Sequence, residues 1–316
     1  MPDVFQPAVR PTMYFIGVTT RQSSINAVFP LWAQRLGLGD CELRGMDFPV
    51  RADPARFRAA VEFIQRDPLS LGALVTTHKI DVFNAAQDRF DAIDPLTRSL
   101  GEISSIFKRG GRLHGRAVDP WTGSYALQSF LPSGHWDGAA EALILGAGGA
   151  GTALAWTLSQ PTSDGGQRPA RVHVADRVPA RLEHLRALHA TWPGAAPLLC
   201  HQTSDTIETD ALIARLPAGS LVVNATGAGK DIPGSPVTDA VRFPERGRVW
   251  EFNYRGDLVF LRQARGQQAA RSLHVEDGWT YFLHGWTRVM ADVFDVEIPT
   301  QGPLFEELGR IAATTR

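Results

Sequence analysis

The stretch Glu141-Ala-Leu-Ile-Leu-Gly-Ala-Gly-Gly-Ala-Gly151 constrains this chain more than any other. An apolar run, Ala142 to Leu145, stops at Gly146. Gly148, Gly149, Ala150 and Gly151 follow, and an apolar helical segment runs from Thr152 to Leu158. A strand ending in glycines that open a helix is a phosphate-binding device. The glycines permit a tight turn and let backbone approach a pyrophosphate, while the helix N-terminus offers N–H groups and a partial positive charge. The strand–turn–helix context separates this segment from a chance glycine cluster. It predicts a dinucleotide site in the middle of the chain, held by Gly146, Gly148, Gly149, Ala150 and Gly151.

The next element refines that reading. Arg171-Val-His-Val-Ala-Asp176 reads as the second strand of a βαβ unit, and Asp176 lies 25 residues after Gly151. That is close to the spacing of about 20 for a carboxylate that accepts hydrogen bonds from the adenosine ribose. Such a carboxylate repels a 2′-phosphate, which points to NAD. Arg177, and Arg181 beyond it, could hold that phosphate instead, which leaves NADP possible. A plainer role for Asp176 is a strand-end or helix-capping residue.

A chain of 316 residues suggests two domains. Its net charge of −1 carries no basic surplus for nucleic acid and no polybasic run for a membrane surface. No apolar stretch approaches the ~18 residues of a membrane-spanning helix. Two distant cysteines, Cys41 and Cys200, exclude a disulfide framework, and a reducing cytoplasm is the expected location. The histidines show no metal-ligand spacing, so no metal is expected. No nucleophile elbow is present, and Gly229-Lys230 lacks the full P-loop spacing. Met1 to Thr12 reads as a short flexible leader, and Ser159–Pro169 as a surface loop.

Strand-like runs alternate with helical patterns. Tyr14–Val18, Cys41–Phe48 and Leu71–Thr77 read as strands. Ser24–Leu38 and a segment capped by Asp53 and running to Gln65 read as helices. Ser104–Lys108 and Leu113–Val118 flank Gly110-Gly111, a hairpin signal. Pro120–Phe130 opens a helix with proline. Further strands are expected over Ser220–Thr226 and Arg248–Tyr254. Helices are expected near Leu258–Arg265, Gly278–Phe294 and Leu304–Ala313. The alternation predicts an α/β protein with parallel sheets covered on both faces. It divides into an N-terminal α/β domain, residues 1–127 with 279–316, and a Rossmann-type NAD(P)-binding domain, residues 128–278.

Five segments, in this order and spacing, resemble the shikimate dehydrogenase family over roughly Tyr14 to Phe294. Gly17-Val-Thr-Thr-Arg-Gln-Ser-Ser-Ile-Asn26 sits where the family has a serine-rich loop that grips a carboxylate. Val75-Thr-Thr-His-Lys79 sits at its catalytic lysine. Gly115-Arg-Ala-Val-Asp-Pro-Trp-Thr-Gly123 resembles its Asn-Thr-Asp-Gly-x-Gly segment. Gly146–Gly151 is its dinucleotide turn, and Val223-Asn-Ala-Thr-Gly-Ala-Gly229 resembles its Asn-Ala-Thr cofactor loop. The resemblance implies a dehydrogenase acting on a ring alcohol. Lys79 and Asp119 are its catalytic pair, and Asn224, Ala225 and Thr226 add to a coenzyme site that includes Asp176 and Arg177. The chemistry asks for such a pair: an ammonium stabilises developing alkoxide charge and either group can relay the proton. The implied site lies in a closing cleft between the two domains. In the plainer reading Lys79 starts a solvated helix and Asp119 caps the next one.

The chain departs from the family where substrate is recognised. The family's Asn-Val-Thr-x-Pro-x-Lys reads Ala73-Leu-Val-Thr-Thr-His-Lys79 here. The first loop keeps Ser23 but puts Ile25 at the second serine. Ser104 replaces a hydroxyl-binding Asn, and Gly285, beside His284 and Trp286, replaces a Gln. Tyr254 is kept. Ser23, Thr76, Ser104, Tyr254 and His284 are therefore the candidate substrate contacts, with Arg21, Gln22 and His78 as possible replacements. A pocket missing several such groups binds the original ligand far more weakly. The expectation is an oxidoreductase, monomeric or homodimeric, for a related small cyclic polyol. True shikimate or quinate oxidation, and a catalytically silent dinucleotide binder, stay open.

Overall fold

The computed structural model describes residues 5–160, 168–230 and 232–315. Most of the loop expected over Ser159–Pro169, and the first four residues of the expected leader, lie outside the described residues. The chain forms two compact units, Met1–Val118 with Leu283–Arg316, and Asp119–Phe282.

The first unit begins with β1 (Thr12–Gly17), α1 (Ile25–Arg35), β2 (Glu42–Asp47), α2 (Pro54–Arg66) and β3 (Ser70–Val75). It continues with α3 (Lys79–Ala86), β4 (Ala92–Ile93), α4 (Pro95–Leu100), β5 (Ser105–Arg109) and β6 (Arg112–Arg116). Asp53 caps α2 by accepting the N–H of Ala55 at 2.9 Å, and Phe57, Val61 and Ile64 turn inward as their spacing predicts. The sheet order is β2-β1-β3-β5-β6-β4. The first three strands are parallel, whereas β5 runs antiparallel to both β3 and β6. A wholly parallel sheet was the expectation; the tight turn at Gly110-Gly111, both at positive φ, reverses the chain and makes this sheet mixed.

Register sets what gathers at one edge. Gly17 lies beside Asp47, Ile16 beside Val75, Leu74 beside Ser105, and Ser105 beside Arg116. The segments after β1, after β3, before β5 and after β6 therefore share that edge. Residues 5–11 are anchored, unlike the leader expected there. Ala8 is buried and its N–H donates to Asp67 at 2.7 Å, and Phe5 stacks on Phe63.

The second unit holds α5 (Asp119–Phe130), β7 (Ala142–Leu145), α6 (Gly149–Ser159), β8 (Val172–Asp176), α7 (Pro179–His189) and β9 (Leu198–Gln202). It continues with α8 (Thr206–Ile213), β10 (Leu221–Asn224), β11 (Arg248–Glu251), α9 (Val259–Arg271) and β12 (His274–Glu276). Its sheet, β12-β11-β10-β7-β8-β9, is parallel throughout. Chain order reverses between β7 and β10, and ligands bind outside the carboxyl ends of strands at such a point. Helix α9 runs six residues past its expected end because Gln263 and Gln267 bond to Ser235, Asp239, Val241 and Phe243, contacts no local pattern announces.

Helix α10 (Trp279–Phe294) starts in the second unit and continues into the first, and α11 (Pro303–Ala313) closes the chain. Helix α11 packs on α1, where Trp32 Nε1 donates to the carbonyl of Leu308 at 2.9 Å.

Candidate functional site

In the second unit the glycine turn is built by steric exclusion. Gly146 has φ of 104°, and a β-carbon there would lie 2.8 Å from the carbonyl oxygen of Ala225. A β-carbon on Gly151 would lie 1.9 Å from the carbonyl oxygen of Gly146. These two glycines let strand, helix and the neighbouring loop touch. Gly148 differs: nothing lies within 4 Å of its β-carbon position. It caps α6, and the first-turn N–H groups of Gly149, Ala150 and Gly151 have no acceptor within the helix. That cradle fits a pyrophosphate.

Asp176 ends β8 and is buried. Its Oδ2 accepts the N–H of Ala147 at 2.7 Å and its Oδ1 the N–H of Val178 at 2.8 Å, while Arg181 stands 3.7 Å away. The carboxylate thus shapes the turn, and each oxygen keeps a lone pair for a further donor. Arg177 beside it is exposed.

Asn224 ends β10 and is fully buried. Its Oδ1 accepts the N–H of Thr226 at 3.1 Å and the hydroxyl of Thr226 at 2.6 Å. Its Nδ2 donates to Glu251 at 2.7 Å. Asn224 therefore organises the loop, and Ala225 and Thr226 present that loop's half-exposed surface. Glu251 and Asn253 were not singled out by sequence. The available signal was a carboxylate closing a buried strand at the same edge as Asn224. Burial pushes the Glu251 carboxyl up to about 7, against hydrogen bonds from Asn253 and Asn224 that pull it down. Tyr254 packs its ring on Phe282 at 4.4 Å and on Trp279 at 5.7 Å.

In the first unit Lys79 opens α3 and is buried. Two backbone bonds hold its surroundings: the N–H of Val75 donates to Ser104 at 2.9 Å, and the N–H of Ile103 donates to the carbonyl of Lys79 at 3.1 Å. Thr77, between them, has φ of 59°, an uncommon conformation for a β-branched residue. Thr76 is half-buried, and Gly17 makes room for it, since a β-carbon there would lie 2.9 Å from its Cγ2. Ser23 is buried at the start of α1, beside a fully buried Ile25. Asn26 ties this loop down by donating to the carbonyls of Thr20 and Ser23. Arg21 and Gln22 are exposed.

The Ser104 hydroxyl accepts the N–H of Val118 at 2.8 Å, which fixes the residue before Asp119. Asp119 is buried at the start of α5. His78 does not supply a replacement contact. It is buried against Phe48 and Phe57, with Nε2 donating to the carbonyl of Phe48 at 2.9 Å and Nδ1 facing Asp81 at 3.3 Å. His284 is buried and stacked on Phe305 at 4.4 Å, and burial pushes its pKa down to about 4, so its ring is neutral near pH 7. Glu102, two residues before Ser104, is a fully buried carboxylate that sequence did not flag. Among the described residues no cluster of His, Cys, Asp and Glu could hold a metal ion, and no helix is long and apolar enough to cross a membrane.

No protein-family model matches the chain. Comparison with curated proteins finds a shikimate dehydrogenase (NADP(+)) of Symbiobacterium thermophilum, 31% identical over 217 residues that span 67% of each chain. The corresponding enzyme of Brucella abortus is 26% identical over 279 residues, 86% of this chain and 84% of its own. Among solved structures, shikimate 5-dehydrogenase from Thermus thermophilus in complex with shikimate superposes with a TM-score of 0.68 at 23% identity, covering 96% of this chain and 98% of its own. Quinate dehydrogenase from Corynebacterium glutamicum in complex with NAD gives 0.68 at 18%, over 96% and 99%. A 5-ketofructose reductase of Gluconobacter gives 0.67 at 17%, over 96% and 98%. These structures share the two-domain α/β fold.

Proposed function

This chain belongs to the shikimate dehydrogenase family of NAD(P)-dependent oxidoreductases, and from that premise we propose that it oxidises a ring hydroxyl of a polyhydroxylated cyclic substrate, or reduces the matching ketone, in a pocket altered from that for shikimate. The first unit takes substrate and the second takes coenzyme. The observation that carries the reading is a contrast within the first unit. Lys79 keeps its place on α3 after a strand end, while the hydroxyl of Ser104 accepts the N–H of Val118 and Ile25 is fully buried at the start of α1. The reacting group is retained where the recognition groups have changed.

A nicotinamide coenzyme, when bound, would supply the hydride acceptor for the carbinol carbon. Lys79, held at the N-terminus of α3, stabilises the oxygen that becomes alkoxide-like and passes its proton on, with Asp119 as the second proton-handling group. Ser23, Thr76 and Tyr254 contribute hydrogen-bonding groups, and Ser104 holds the segment leading to Asp119. The neutral ring of His284 suits a hydroxyl or carbonyl better than a carboxylate, which needs a charged partner. The groups toward coenzyme are the turn Gly146 to Gly151, Asp176 with Arg177, and the loop Asn224, Ala225 and Thr226. Asp176 favours NAD, the coenzyme in the quinate dehydrogenase complex, and Arg177 is the route by which this chain would hold NADP, the coenzyme in the names of the shikimate dehydrogenase relatives. The protein works in the cytoplasm as a monomer or homodimer.

Purified protein assayed for coenzyme reduction with NAD and NADP, against shikimate, quinate and a panel of cyclic polyols, tests the reading. Turnover of a panel member with micromolar shikimate inert supports it. Efficient turnover of micromolar shikimate sinks the altered pocket, and coenzyme binding with no turnover of any member points to a silent binder.

A further inference from the structure

Three side chains at the ends of two adjacent strands form a buried network behind the loop that follows β10. Glu251 ends β11 and is fully buried. Its Oε2 accepts Asn224 Nδ2 at 2.7 Å, and its Oε1 accepts the N–H of Asn253 at 2.8 Å and Asn253 Nδ2 at 2.7 Å. Both amides then reach the carbonyl oxygen of Ala228, at 3.3 and 3.1 Å. Asn224 Oδ1 takes the N–H and the hydroxyl of Thr226, and Thr226 Oγ1 accepts the N–H of Ala228 at 3.1 Å. The bonds that shape residues 224–228 thus depend on which way the amide of Asn224 points.

Glu251 makes the shorter of the two bonds from Nδ2 that set that direction, the other going to the Ala228 carbonyl. An ionised carboxylate only accepts, so it draws Nδ2 toward itself and leaves Oδ1 for Thr226. A neutral carboxyl or an amide in its place accepts or donates, and the longer bond from Nδ2 to the Ala228 carbonyl, at 3.3 Å, is then the one obligatory acceptor left to Nδ2. We propose that Glu251 is a positioning residue for coenzyme binding, whose carboxylate orients Asn224 and so holds the loop 225–229 in its receiving shape. The proposal rests on the reading of that loop as part of the coenzyme site.

The surroundings of Glu251 make its charge state adjustable. Burial raises its pKa to about 7 and the carboxylate of Asp277 adds to the rise. Strand β10 brings no titratable side chain. On β12, His274 and Glu276 pair with each other at 2.7 Å. Helix α9 adds only Phe260 and Ala264 to the core around Val249. Proton loss from Glu251 and loop shape are then linked, and coenzyme affinity falls as pH drops through about 7.

The test titrates the full-length protein with NADH and NADPH, following coenzyme fluorescence from about pH 6 to about pH 8.5. In the wild type, affinity is expected to weaken several-fold toward the acid end. Glu251→Gln is expected to weaken binding about tenfold at the alkaline end and to lose that pH dependence. Its substrate KM at saturating coenzyme is expected to stay within about twofold. A Glu251→Gln protein that binds as the wild type does overturns the proposal. So does a wild-type affinity flat across the range, a measurement that needs no variant to fold. A wild type that binds neither coenzyme defeats the underlying reading of the loop, and is told apart by the absence of any signal to titrate.

Discussion

Asp176 Oδ2 accepts the backbone N–H of Ala147 at 2.7 Å, which ties the end of β8 to the glycine turn after β7. Removing the carboxylate leaves the N–H groups of Ala147 and Val178 without their acceptor. Asp176→Ala is therefore expected to cost about 1–3 kcal/mol of stability, measured by urea unfolding. It is also expected to weaken coenzyme binding, because the turn loses its brace. Unchanged stability would mean that water replaces both bonds without loss.

The two kinds of glycine in the turn separate fold from binding. Gly151→Ala would drive a β-carbon against the carbonyl of Gly146 and is expected to destabilise the second unit by more than about 2 kcal/mol. Gly148→Ala meets nothing within 4 Å and is expected to fold normally. Its methyl group stands over the open end of α6, so coenzyme affinity should fall about tenfold or more. Thermal unfolding of both variants, followed by coenzyme titration of the folded one, checks the pair.

Lys79 and Asp119 are expected to matter to chemistry and not to coenzyme. Lys79→Ala and Asp119→Asn should each lower kcat by about 10²–10⁴ while the dissociation constant for coenzyme stays within about threefold. Single-turnover kinetics with saturating coenzyme gives the decisive number. Loss of coenzyme binding in either variant would assign these residues a structural task.

His284 links stability to acid. Its folded pKa is depressed to about 4 from an ordinary 6.5, because burial disfavours the charged ring. The folded state therefore binds fewer protons than the unfolded chain between those values, and the stability owed to the neutral ring is lost as pH falls from about 6.5 toward 4. His284→Phe, which preserves the stack on Phe305, should reduce that loss by about 2–3 kcal/mol. Denaturant unfolding at both ends of the window measures it. An acid profile identical to the wild type would show that other groups dominate.

Glu251 has the opposite sign. Its folded pKa lies near 7, above the ordinary 4.5, so the folded state holds a proton that the unfolded chain gives up. Its contribution is most favourable below about pH 4.5 and fades as pH rises through about 7. Unfolding of wild type and Glu251→Gln at both ends of that range should therefore show a gap that shifts in favour of the variant as pH rises. A constant gap would place the carboxyl's pKa outside this window.

Much of the architecture was legible because local rules carried it. The strand Ala142–Leu145 is bounded by its own apolar run and the glycine after it. Asp53 caps α2 where the capping rule places it. The Gly110-Gly111 turn was readable too, yet its consequence for the sheet was missed: a hairpin inserted beside β3 cannot keep the whole sheet parallel. Short elements such as β4 and α4 gave no periodic signal above background, because two to six residues are too few to show a period.

The site divides along the same line. Residue type and spacing marked the glycine turn and Asp176, and the family resemblance marked Lys79, since those readings depend on a few side chains at particular positions along the chain. Sequence could not tell that each Asp176 oxygen accepts a backbone N–H, that Ser104 braces Val118, or that His78 turns into the core. Nor could it tell that Glu251 sits under Asn224, 27 residues away. Hydrogen bonds between distant residues and the desolvation that shifts a pKa exist only once strands are laid side by side, so the fold alone decides which polar groups are used up as structure and which are left to meet a ligand.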